Sequence, residues 1–251
     1  MELNELLYPE MKDISDSICY KKSIGAKDLY DKLADLNCPM DDKVKFALQH
    51  WGWKNTIRKE SEAVIKDARK SGFNIPATII TVYHQFWGLH IPVRNVFRQG
   101  GENFIDYGGT VIFDFDGFSW KDMIPNAEML GVKFRETVLP FGIRHNYNGY
   151  SSNLENCWEN PNYSAYGWGV DELYIGSGGK IYAIVDVEYG GLIEIEAINI
   201  LDFFAVSFGF TSACTEEIGE IDIETPVIEE IEDLIEKGIY TQNCLWDNSR
   251  D

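Results

Sequence analysis

Gly88 divides this chain by hydrophobic period, and no other feature constrains the fold as much. Upstream of it, apolar residues recur at helical spacing. Leu3, Leu6 and Leu7 form one stripe, and residues 26–36 form a second behind Ser23 as a cap. Val44, Phe46, Ala47 and Leu48 make a third, broken off from the second by Asn37, Pro39 and Asp41 and ended at Trp51-Gly52-Trp53, where the glycine permits a turn between two bulky side chains. Residues 58–71 predict a helix whose Ala63, Val64 and Ala68 oppose the mixed charges of Arg58, Lys59, Glu60, Glu62, Lys66, Asp67, Arg69 and Lys70, with Gly72 closing it. After Pro76, the run Ile79, Ile80, Val82, Tyr83, Phe86 and Trp87 fits a buried helix ending at Gly88. A strand is its rival there, because so many of these residues are β-branched or aromatic.

Downstream of Gly88 the segments shorten and fill with Val, Ile, Phe and Tyr. Residues 89–91, 110–115, 136–139, 172–175, 180–185 and 192–195 are separated by Gly, Asn and Pro, which predicts an antiparallel sheet, with Ser177-Gly178-Gly179 as a hairpin connection. Residues 198–208 predict a further apolar helix. Thr225-Pro226 opens a last one, with Val227, Ile231, Leu234 and Ile235 on one side, carboxylates mostly on the other, and Gly238 at its end.

Charge excludes some partners. Residues 71–251 contain nine Lys or Arg against twenty-eight Asp or Glu, so the net charge of −19 sits in that part. The one basic cluster, Lys54, Arg58, Lys59, Lys66, Arg69 and Lys70, is interleaved with Glu60, Glu62 and Asp67, which is a poor footprint for a phosphate backbone. Nucleic acid and anionic membranes are therefore not expected partners. The longest apolar run, 75–83, is interrupted by Pro76 and polar residues, and the start lacks the features of a signal peptide, so a cytoplasmic protein is expected. Cys19, Cys38, Cys157, Cys214 and Cys244 contain no CxxC pair, and His50, His84, His90 and His145 no HExxH, so neither a metal nor another cofactor is expected.

Two patterns are candidate sites. Phe113-Asp114-Phe115-Asp116-Gly117 contains the DxD that holds a cation in sugar transferases. Strand alternation explains it better, with Val111, Phe113 and Phe115 inward, Ile112, Asp114 and Asp116 outward, and an Asp-Gly turn. The polar-aromatic stretch 144–169 sets Tyr147, Tyr150, Trp158, Tyr163, Tyr166 and Trp168 among asparagines. That mixture suits stacking on sugars or anchoring a protein partner, and equally a long loop that packs its own rings. No GxSxG or Cys–His motif points to a nucleophile, so no catalytic residue is expected.

Gly52-Trp53, Arg58, Gly72-Phe73 and Phe86-Trp87-Gly88-Leu89-His90-Ile91, followed by Leu139-Pro140-Phe141-Gly142, Leu173-Tyr174-Ile175-Gly176 and Gly179-Lys180-Ile181-Tyr182, together resemble the third group of the SUKH superfamily, bacterial immunity proteins related to fungal cell-wall-assembly regulators. The resemblance implies a central antiparallel sheet flanked by helices, no enzymatic activity, and neutralisation of a cognate toxin. It spans about 48–208, so the chain divides into a helical N-terminal extension (1–45), a SUKH-like α+β domain (46–211) with 144–169 as an inserted loop, and an acidic C-terminal extension with one helix (212–251).

Acidity favours the same role on separate grounds, since toxins directed at nucleic acid present basic clefts. The residues expected to meet a toxin are Asp186, Glu188, Glu194, Glu196, Asp202, Glu216 and Glu217 for charge, with Trp158, Tyr163, Tyr166 and Trp168 as aromatic anchors. The rival readings are a carbohydrate-binding or metal-dependent sugar-transferring protein, which would use the DxD and the aromatic loop, and an intracellular protein-binding scaffold.

Overall fold

The computed structural model describes residues 26–70, 73–99, 102–113, 122–146, 170–185, 192–211, 216–220, 240–241 and 245–246. Four helices come first: α1 (Ala26–Ala34), α2 (Met40–His50), α3 (Lys59–Lys70) and α4 (Ala77–Phe86). They are followed by β1 (His90–Gln99), β2 (Glu102–Ile112), α5 (Ile124–Phe134), β3 (Val138–Asn146), β4 (Val170–Gly176), β5 (Ile181–Val185), β6 (Leu192–Ala197), α6 (Ile200–Ser207) and β7 (Glu216–Glu220). Two short strands, β8 (Tyr240–Thr241) and β9 (Leu245–Trp246), pair with each other.

The α+β class is borne out. Strands β1 to β7 form one sheet in sequence order, each antiparallel to the next. Both of its faces carry buried apolar residues. Ile91, Val93, Val111, Phe113, Leu139, Phe141, Leu173, Ile175, Ile181 and Ala183 face the larger core, to which α1 to α4 and α6 contribute Leu29, Val44, Ile65, Ile79 and Phe204 among others. Val138, Ile143, Tyr174, Tyr182, Ile184 and Ile193 face the smaller core under Ala127 and Leu130 of α5. The alternation Leu173, Tyr174, Ile175 on β4 places one residue in the first core, the next in the second and the third in the first again, as the two-residue pleat requires.

The larger core is held by rings. Phe86 stacks on Phe204 at 5.6 Å, Phe113 meets Phe141 edge-on at 4.9 Å, and Tyr30 stacks on Phe208 at 4.5 Å, so α1, α4, α6, β2 and β3 converge on one aromatic cluster. Helix α6 starts where Asn199 Oδ1 accepts the amide hydrogens of Leu201 and Asp202 at 2.9 and 3.0 Å, satisfying two of the donors that a helix start leaves over.

The strand alternative for 77–86 loses for a reason visible in burial. Ile79, Tyr83 and Phe86, spaced by four and three, enter the core together while Thr78 and Thr81 stay exposed, so one-sided burial overrides β-propensity. Helix α5 was not foreseen, because Pro125, Asn126 and Gly131 read as loop residues; Pro125 sits in its first turn, where no amide hydrogen is missed, and Gly131 is buried. Ile112 was expected to face outward but packs against the smaller core, since strand alternation gives a polar face only where one face meets water. Residues 144–146, assigned to a loop, complete β3.

Part of the expected N-terminal extension packs into the larger core. Leu29, Tyr30 and Leu33 are fully buried in the larger core, the Tyr30 hydroxyl donates to the carbonyl of Pro92 on β1, and the Trp51 indole donates back to Tyr30 at 2.8 Å. Beyond residue 211, β7 extends the same sheet through its pairing with β6. The expected stripe at Leu3, Leu6 and Leu7, the Asp114–Asp116 pair, and the helix expected from Pro226 to Gly238 lie outside the described residues.

Candidate functional site

Sequence placed the partner-binding face on carboxylates from 186 to 217, and the structure sorts those it describes into three kinds. The first kind is buried. Glu196 is 5% exposed and lies 2.8 Å from Arg144 Nη2, which also pairs with Asp171 at 2.8 Å. Asp171 is 1% exposed and receives Arg144 Nε as well, at 2.8 Å. Glu196 is therefore withdrawn from the partner face: its charge is spent on a guanidinium inside the protein, where no partner can reach it.

That cluster also reports the shape of the sheet. Arg144 is on β3 and Glu196 on β6, with β4 and β5 between them. Strands about 4.8 Å apart would hold β3 and β6 about 14 Å from each other in a flat sheet, and the register puts Leu192, four residues before Glu196, in line with Arg144. One guanidinium spans them because the sheet curls. Burial alone would weaken the Arg144 charge, but the carboxylates of Glu196 and Asp171 outweigh it and raise the pKa above the usual arginine value. The group is a fixed cation held between two anions.

The second kind braces a helix cap. Asp202, in the first turn of α6, accepts from the Asn199 side-chain amide at 2.6 Å and is half-buried, which explains its position without a partner. The third kind lies at the sheet edge. Glu194 on β6 stands opposite Glu217 on β7, and Glu216 stands opposite Ile195. Asp186, Glu188, Trp158, Tyr163, Tyr166 and Trp168 lie outside the described residues.

Two further carboxylates, which sequence reasoning passed over, are bound to tyrosines in the smaller core. Tyr174 and Tyr182 are direct neighbours across β4 and β5. The Tyr174 hydroxyl donates to Glu172, which also accepts from Asn126 on α5 at 2.8 Å. The Tyr182 hydroxyl donates to Glu136, whose carboxylate also receives the Gly178 amide at 2.9 Å and so clamps the β4–β5 hairpin. Burial first, and then the adjacent carboxylate, pushes both tyrosine pKa values up, so neither phenol is an acid of useful strength. Phe134 stacks on Tyr182 at 4.5 Å and closes this layer.

Several of the residues that carry the SUKH resemblance, Gly52, Trp53, Arg58, Phe86 and Leu89, meet at one corner. Arg58 Nη2 donates to the Gly52 carbonyl at 2.7 Å, and the Arg58 amide donates to the His84 carbonyl at 2.9 Å. Gly52 has φ +90° and its open side faces Leu89, whose amide donates to Phe86 and whose carbonyl receives the amide of Phe113. Trp53 packs on Phe86 at 6.1 Å between centroids. Together these residues fasten the α2–α3 turn to the end of α4 and the start of the sheet.

Ser61 and His84 are 2.7 Å apart at the same corner, but the pair is not a nucleophile and base. The Ser61 hydroxyl donates to the Arg58 carbonyl at 2.6 Å and therefore accepts from His84 Nδ1, and Ser61 is fully buried. Among the described residues, no three His, Cys, Asp or Glu side chains converge as a metal site would need, and no helix is long and apolar enough to cross a membrane. Comparison with protein-family models, with curated proteins and with solved structures finds no match for this chain.

Proposed function

We propose that this protein is a non-catalytic binding module of the immunity type, which neutralises a basic toxin domain at the acidic β6–β7 edge of its sheet. One observation carries the reading: Glu194 and Glu217 stand directly opposite each other on the outermost strand pair, with Glu216 and Glu220 on the same edge strand. Like charges opposed across an antiparallel pair destabilise it by a few tenths of a kcal/mol or more, so the arrangement costs the isolated protein and is relieved when Lys or Arg of a partner lies against it. The outer backbone of an edge strand is also open to further hydrogen bonding, and carboxylates there exclude all but basic partners. The resemblance to SUKH immunity proteins points the same way.

The test is a pull-down of the C-terminal domain encoded by the neighbouring gene, at about 50 mM and about 0.5 M NaCl, where the Debye length falls from about 14 Å to about 4 Å. A complex that weakens with salt, and weakens at least about tenfold in the charge reversal Glu194→Lys/Glu217→Lys, is the expected result. Absence of a complex, or one indifferent to both salt and reversal, would sink the proposal.

A further inference from the structure

Helices α3 and α4 enclose an open cleft of about 630 Å3, within the range of about 300–1,000 Å3 typical of small-molecule sites. Ile65 and Ile80 give it an apolar floor, and Lys66, Arg69 and Lys70 line it from α3. The spacing explains why the sequence hid it. Read along the chain these cations alternate with acids, but on a helix residues 62, 65, 66, 69 and 70 share one side, which collects all three cations there with a single acid, Glu62.

The cleft has a direction. The contact between Ser61 and His84 sets His84 beside the first turn of α3 and hence beside Glu62, while Arg69 lies seven residues further on, about 10 Å along the helix axis at 1.5 Å per residue. One end is thus cationic, the middle apolar, and the other end offers hydrogen-bonding groups. His84 Nδ1 is committed to Ser61, which leaves Nε2 as the ring nitrogen for a ligand.

Basic residues in a last helical turn are commonplace, because they complement the helix dipole. Three facts go beyond that. Among the described residues no carboxylate lies within ion-pairing distance of Lys66, Arg69 or Lys70, although the chain has forty-one Asp and Glu. The cations border a concave surface, and its lining includes Ile65 and Ile80, which suits an apolar body better than a bare ion.

We propose that this cleft binds a small organic acid with an apolar body, its carboxylate or phosphate held by Lys66, Arg69 and Lys70 and its body laid on Ile65 and Ile80. This site is separate from the acidic sheet edge and stands or falls without it.

Calorimetric titration of the full chain with decanoate, decyl phosphate, decanol and inorganic phosphate tests it. Saturable one-to-one binding of one or both amphipathic acids, with decanol and inorganic phosphate at least about tenfold weaker, is expected, since removing a charge-assisted contact costs about that factor. Lys66→Gln and Arg69→Gln, both exposed positions, each weaken binding by about fivefold or more, whereas Lys54→Gln leaves it unchanged. Lysine acetylation of the wild-type protein supplies a readout free of any variant, with decanoate protecting Lys66 and Lys70. Binding as tight for inorganic phosphate or decanol, no saturable binding of either acid, or no lysine protection by a bound acid would overturn the proposal.

Discussion

Arg144 joins strands that the sheet keeps apart, and its neighbours make it hard to replace. Two carboxylates, 1% and 5% exposed, share this one cation, so Arg144→Met leaves two buried negative charges together and is expected to destabilise the protein by about 3–5 kcal/mol in urea unfolding. Arg144→Lys recovers only part, because an ammonium keeps the charge but ends on a shorter stem and lacks the Nε donor to Asp171. Converting all three residues, to Met, Asn and Gln, should restore most of the loss by removing the charges together. His50 gives a second test at this scale. Burial lowers its pKa from the ordinary 6.5, so below that pH the unfolded chain takes up a proton that the folded one refuses. Its contribution is therefore full above 6.5 and declines as pH falls below it; His50→Gln should flatten the loss of melting temperature as pH is lowered from 6.5.

Among the elements, the backbone sets two sharp demands. Arg135, which follows α5, has φ 54° and ψ 44°, a left-handed conformation that costs a side-chain-bearing residue about 1 kcal/mol, so Arg135→Gly should raise the urea midpoint. Gly142 on β3 does the opposite. A Cβ there would stand 2.6 Å from the Ile112 carbonyl oxygen of β2, a backbone atom that cannot swing aside, so Gly142→Ala should cost about 1–3 kcal/mol or more. These positions also mark what sequence could convey. The helices before Gly88 were legible because each buries one stripe at helical period, and most strands after it because short runs of Val, Ile, Phe and Tyr are buried on both faces. Helix α5 was not, since its Pro, Asn and Gly are local turn signals that only contact with the sheet overrules. Strand β7 was not either, because Glu-Glu-Ile-Gly-Glu has little strand propensity and is ordered by its pairing with β6.

For the whole molecule, a net charge of −19 makes self-repulsion a general term. Melting temperature should rise as NaCl increases from about 20 mM to about 0.3 M, because screening relieves that repulsion, and a fall would mean that ion pairs dominate instead. The candidate partner face was only partly legible for a related reason. Sequence counts carboxylates without showing which have found a cation, so Glu196 and Glu194 look alike along β6 although one is buried against Arg144 and the other sits in register with Glu217. The strand order has a consequence in time. Each strand of the large sheet hydrogen-bonds to the one made just before it, even where α5 or α6 intervenes, so no strand has to wait for a distant partner. Local pairing of this kind keeps loop closure inexpensive and folding quick for a β-rich chain. During synthesis, each strand would leave the ribosome to find the growing edge already formed, and β7, the last and most acidic, would complete it.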